Sequence, residues 1–122
     1  MRLLLVVPWP LTSHGGGQRL ARELAVALRT HHQIDVHVAA GSGLPGGPVC
    51  AVVEEPVREH RLPLVPARGG WQLEGLVPLA ERLRPDVLAF ASHASPCAEQ
   101  AADAARRLAV PFVLLPAIHL DC

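Results

Sequence analysis

Three consecutive glycines, Gly15, Gly16 and Gly17, stand where this chain could hold a phosphate or another anion. They lie in the run SHGGGQRLARELAVAL at residues 13–28, which passes from the glycines straight into an amphipathic helical pattern. The apolar run at 3–7 reads as a buried strand, so the unit is strand, glycine-rich turn, helix. The first N–H groups of a helix have no intrahelical partner and sit at the positive end of its dipole. A turn without side chains lets an anion reach them. The same glycines also suit a tight bend with close packing, so the triplet alone leaves both readings open.

Other chemistries are excluded by what the chain lacks. A nicotinamide site needs G-x-G-x-x-G and an acidic residue ending the second strand. Here the third position is Leu20, and the second strand runs out in Ala39, Ala40, Gly41 and Ser42. A P-loop needs a lysine after its glycines, and the chain contains none. His14 to Gly17 spells HGGG, an oxyanion-loop sequence of some esterases, but the G-x-S-x-G nucleophile elbow is missing. The seven histidines form no metal signature. His31 and His32 end the first helical pattern, where an imidazolium helps the dipole, and His37 lies within a strand. Cys50, Cys97 and Cys122 are odd in number and widely spaced, against a disulfide framework and against a zinc cage.

Length and composition set the frame. A chain of 122 residues suits a single domain over 1–122. Hydrophobic residues at 50% with charged residues at 18% exclude a disordered chain, and the apolar runs are too short to span a bilayer. Eleven basic residues, all Arg, balance eleven acidic ones, so no net field recruits nucleic acid or a membrane surface. The apolar start is too short for a signal peptide and runs into Pro8, Trp9 and Pro10. A cytoplasmic location is expected.

The elements that must position the glycines follow from periodicity. Residues 2–7 lack polar alternation, as in a central parallel strand covered on both faces. In the following helix Leu20, Leu24 and Leu28 recur every fourth position and are expected to face the sheet. Residues 34–40 alternate as a second strand, 41–48 read as turn and loop, 50–53 are a short apolar piece, and 57–65 form the third strand. A helix is expected from about Gln72 to Leu83, a fourth strand at 86–91, a helix capped by Ser95 with Pro96 in its first turn, and a fifth strand at 111–115. Strands alternating with helices imply an α/β fold: a Rossmann-like parallel sheet with helices on both faces, a three-layer sandwich. With strand order 3-2-1-4-5, the reversal falls between the first and fourth strands. The loops there, 8–17 and 92–95, bring Ser92 and His93 to the same rim as the glycines.

Three segments in order, GGGQRLARELAVAL, ERLRPDVLAFAS and RLAVPFVLLPAIHLD, resemble the N-terminal domain of family 4 glycosyltransferases, half of a GT-B fold. The family typically shows GG-x-(E/Q)-R entering a helix, matched by Gly16, Gly17 and Arg19. It shows R-P-D-(V/L) entering the fourth strand, matched by Arg84, Pro85, Asp86 and Val87. It shows a G-(V/I)-P strand leading to a histidine, matched by Val110, Pro111 and His119. Where the family often has histidines within the fourth strand, this chain has Ala89 and Ala91, with His93 just after.

The resemblance implies transfer of a sugar from a nucleotide-diphosphate sugar to a sugar or lipid-linked acceptor, with retention of configuration and no metal or other cofactor. It implies that Gly15, Gly16, Gly17, Ser92 and His93 meet substrate or phosphate, and that His119 lies beside the transferred sugar as the catalytic candidate. It also implies a C-terminal donor-binding domain that these residues do not contain. In the family that domain carries two glutamates with seven residues between them, and no Glu here has another eight positions on. No nucleic acid partner is implied, while contact with a membrane surface belongs to the full enzyme. The alternative is a non-catalytic α/β module binding a phosphorylated ligand at the Gly15 to Gly17 turn.

Overall fold

The computed structural model describes residues 1–9, 16–45, 51–54, 57–92 and 95–115, with the backbone alone at 16–18, 43–45 and 51. Strand β1 (Arg2–Val7) lies at the centre of the sheet, parallel to β2 (Asp35–Pro45) on one side and to β6 (Val87–Ala91) on the other. Beyond β2 lies β4 (Arg58–Ala67), and beyond β6 lies β7 (Phe112–Leu115), all parallel. These five strands reproduce the expected order 3-2-1-4-5. Two short strands, β3 (Ala51–Val53) and β5 (Gly70–Leu73), run antiparallel along the outer edge of β4. Pro63 falls in the gap between their two ladders, which pair residues 59–61 and 64–67 of β4, so its missing N–H interrupts neither.

Helix α1 (Gly16–His32) covers one face of the sheet. There Ala21 and Ala25 pack with Leu5, Val7, Val36, Val38 and Ala40. Helices α2 (Leu76–Leu83) and α3 (Pro96–Leu108) cover the other, where Leu79, Ala80, Ala101 and Ala104 pack with Leu4, Val6, Leu88 and Phe90. Alternate residues of β1 feed the two cores, as a strand period of two requires. The result is the expected three-layer, Rossmann-like α/β sandwich. Among the described residues no helix is long and apolar enough to cross a membrane.

Three local expectations are corrected. Leu20 is 60% exposed, and the fully buried contacts with the sheet are made by Ala21 and Ala25, with Leu28 of the leucine row packing at their margin. Small side chains let a helix approach strands closely, a gain that outweighs the larger area of the leucines one position away. The helix expected from Gln72 begins instead at Leu76, because Trp71, Gln72 and Leu73 are taken by β5. Gln100 of α3 closes the outer edge of that strand: its amide accepts from the Leu73 N–H at 2.9 Å and donates to the Leu73 carbonyl at 2.6 Å. Residues 41–45, expected as loop, extend β2, with a register shift against β4 between Gly41 and Pro45. At the far edge β7 pairs with β6 alone among the described strands, and Val113 and Leu114 are exposed, as expected of a bare edge.

Candidate functional site at the carboxyl rim

The chain reverses direction across the sheet at β1. It leaves β1 through α1 to β2 on one side, and returns through α2 to β6 on the other. At such a switch point the loops after the two neighbouring strands part, opening a crevice beyond their carboxyl ends. Gly16 and Gly17 are the first two residues of α1, so their N–H groups belong to its unpaired first turn. Ser92 follows the end of β6 on the same rim and is half-buried. Gly15, His93 and His119 lie outside the described residues.

The opening of α3 is already committed. Ser95, extended at φ −164°, caps it by accepting from the Ala98 N–H at 3.3 Å, and Pro96 occupies the first turn, as expected. A second feature of the rim is a close approach that only glycine permits. A Cβ at Gly41 would stand 2.1 Å from the Pro8 carbonyl oxygen and 2.9 Å from Leu64 Cδ2. The exit of β1 is therefore laid directly over the backbone of β2. The next residue, Trp9, is 37% exposed.

The amino edge of the sheet carries the ion pairs instead. Arg2 N–H donates to Asp86 Oδ2 at 2.7 Å, while Asp86 N–H donates to the Arg2 carbonyl at 2.8 Å. The Arg2 guanidinium reaches Asp35 Oδ2 at 2.8 Å and also donates to the Leu83 carbonyl. Arg84 ends α2 at φ 48°, its N–H bonded to the Ala80 carbonyl. Arg2 thus ties the starts of β1, β2 and β6 together at the edge opposite the glycine turn, with Asp86 of the R-P-D segment as one of its partners. Its part is architectural.

Two imidazoles share that half of the sheet. His37 of β2 is buried; its Nδ1 lies 3.2 Å from Nε2 of His60 on β4, and its Nε2 lies 3.3 Å from Asp35 Oδ1. The rings stack with centroids 5.4 Å apart. With His37 neutral, His60 donates to His37 Nδ1 and His37 Nε2–H donates to Asp35. Burial pushes both histidines below the usual imidazole value. The Asp35 carboxylate works against this at His37, while Arg2 and Arg58 reinforce it; at His60 the neighbours are His37, Arg58, Arg82 and Glu54. A histidine depressed in the folded state binds its proton more readily unfolded. Its stabilisation is therefore complete above the ordinary value of 6.5 and is lost as pH falls through the lower folded values. Urea midpoints are expected to drop between pH 7.5 and 5.5, with a smaller drop in His60→Gln; a flat profile in the parent chain contradicts this coupling.

A polar cavity of about 240 Å³ also opens at the amino edge, lined by Arg29, Ile34, Asp35, Val36, Glu54 and Arg58. It is remote from the glycine turn, and Arg58 is engaged by Glu54 at 3.0 Å. Cys97 is buried in the α3 core, and burial pushes its thiol up to about 12, which keeps it protonated and unreactive. Among the described residues no three His, Cys, Asp or Glu side chains cluster to hold a metal.

The sequence thus points to the rim but gives no role there to two residues. Gly41 falls in the segment 41–48 expected as turn and loop, and Trp9 lies in the rim loop 8–17 with no role assigned to it. The signal for Trp9 was present, since an aromatic between two prolines at the end of a central strand is held in extended backbone by the following proline.

No curated protein matches the sequence. The model of Glycosyltransferase Family 4 matches residues 14–116, beginning at the glycine turn and running past the end of β7. That span takes in both helix openings at the switch point and every strand after β1. With its Rossmann-like sheet and a glycosyltransferase-type domain over most of its length, the chain belongs to glycosyltransferase family 4.

Proposed function

We propose that these 122 residues form the acceptor-side domain of an enzyme that moves a sugar from a nucleotide-diphosphate sugar to a sugar or lipid-linked acceptor, with retention of configuration. The observation that carries this reading is the start of α1 at Gly16 and Gly17, beside the end of β1, in a chain of this family. A departing diphosphate gains negative charge, and fixed N–H donors at a helix end stabilise that charge without reorganising. Gly15 would extend the donor set, Ser92 and His93 would border the crevice from the β6 side, and His119 would stand beside the transferred sugar. The donor is a substrate, and the proposal requires no metal or other cofactor. The reaction is assigned to the cytoplasm, a reducing compartment that suits an odd number of widely spaced cysteines. Contact with a membrane surface, if the acceptor is lipid-linked, would belong to the whole enzyme.

Transfer also needs water excluded from the reacting centre and the two substrates held in register. A second, donor-binding domain would supply the facing wall. Incubated with a panel of nucleotide sugars and acceptors, the 122-residue chain alone is expected to give no product above background. Joined to a family 4 donor-binding domain, it is expected to give product. Turnover by the 122 residues alone overturns the half-enzyme reading, and no product from the joined protein overturns the acceptor-side assignment.

A further inference from the structure

We propose that Trp9 is the ring platform of the acceptor site, its indole stacking on the apolar C–H face of a pyranose. The inference rests on the transferase reading above and adds the residue and the chemistry by which the acceptor is held. Trp9 follows the end of β1 by two positions, at the carboxyl rim where the sheet reverses. It is 37% exposed and is the only exposed aromatic side chain among the described residues, since Phe90 is fully buried and Phe112 and Trp71 are partly buried.

Its backbone is held on both sides. Pro8 precedes it with a carbonyl seated over Gly41, closer than any side chain there would allow. Pro10 follows, restricting Trp9 to extended conformations. A restrained backbone beneath the ring lowers the entropic cost of covering it with a ligand. The face of an indole is electronegative, and the axial hydrogens of a pyranose whose hydroxyls are equatorial are weakly electropositive. Such a sugar offers one flat apolar face with hydroxyls around its rim. A protein or acyl-chain partner needs a broad apolar patch, whereas a single indole matches a single ring.

The test titrates the 122-residue chain carrying Trp71→Phe, in which Trp9 is the one remaining tryptophan. The probes are methyl β-D-glucopyranoside and the acyclic polyol sorbitol. The glucoside is expected to shift and quench Trp9 emission saturably, and sorbitol to leave it unchanged. Saturation-transfer NMR on the parent chain, Trp9→Phe and Trp9→Ala gives a second readout. Affinity for the glucoside is expected to fall about tenfold in Trp9→Ala, and to stay close to the parent in Trp9→Phe. Equal responses to glucoside and sorbitol, no saturable response, or unchanged binding by a folded Trp9→Ala each overturn the proposal. Product formation by the joined protein together with any of those results removes the Trp9 platform alone and leaves the transferase reading standing.

Discussion

Gly17→Val is expected to weaken nucleotide-diphosphate binding and sugar transfer by about a hundredfold, the scale on which a single preorganised oxyanion donor acts. The substitution is chosen because it separates binding from folding. Gly17 is the second residue of α1, and valine is no worse than glycine in a helix, both lying below alanine by about 0.5–1 kcal/mol. The fold should therefore survive, with an unchanged or slightly raised thermal midpoint. The γ-methyls of valine would occupy the approach to the free N–H groups of the first turn. Normal binding by a folded Gly17→Val chain would mean that the glycines serve only the bend. Isothermal titration of the joined protein with a nucleotide sugar, beside a melting curve, reads both quantities.

Gly41→Ala is expected to carry the largest stability cost, about 3 kcal/mol, corresponding to a fall of roughly 10 °C in the thermal midpoint. A methyl group there would meet the Pro8 carbonyl oxygen at 2.1 Å and the end of Leu64 at 2.9 Å. The leucine could turn aside, but the carbonyl belongs to backbone leaving the central strand and cannot. Relief requires β1 and β2 to separate at their carboxyl ends, which also displaces Trp9. Glucoside binding should weaken in the same variant even well below its melting temperature. A chain that melts within about 2 °C of the parent would show that the two strands are less closely laid than described.

Periodicity made the parallel sheet readable, because β1 and β6 are short apolar runs and β2 alternates, each bounded by breakers and separated by helical patterns. The order of those strands followed from the connections, and the reversal beside β1 followed from the order. Short antiparallel pieces were not readable. β5 is four residues, GWQL, and only its pairing with β4 and the Gln100 amide distinguish it from the first turn of the helix beyond it. The buried face of α1 was misread because leucine outweighs alanine in any hydropathy pattern, while the contact distance between helix and sheet rewards the smaller residue. At the site, the glycines were legible from type and position, since three in a row run directly into a helical pattern, whereas the glycine before α2, Gly75, stands alone. The value of Gly41 was not, because it depends on a carbonyl more than thirty positions away. Gly15, His93 and His119 stand as sequence-level assignments.

On the proposed reading the anion is held at the start of α1 by backbone N–H groups. Amide chemical-shift mapping of the isotopically labelled 122-residue chain, titrated with UDP and GDP, tests it most directly. Saturable shifts are expected to be largest at the Gly16 and Gly17 amides, with smaller ones at Trp9 and Ser92 and none along the Arg2, Asp35 and Asp86 edge. Shifts confined to Arg29, Asp35 and Arg58 around the amino-edge cavity, with Gly16 and Gly17 unmoved, would contradict that reading.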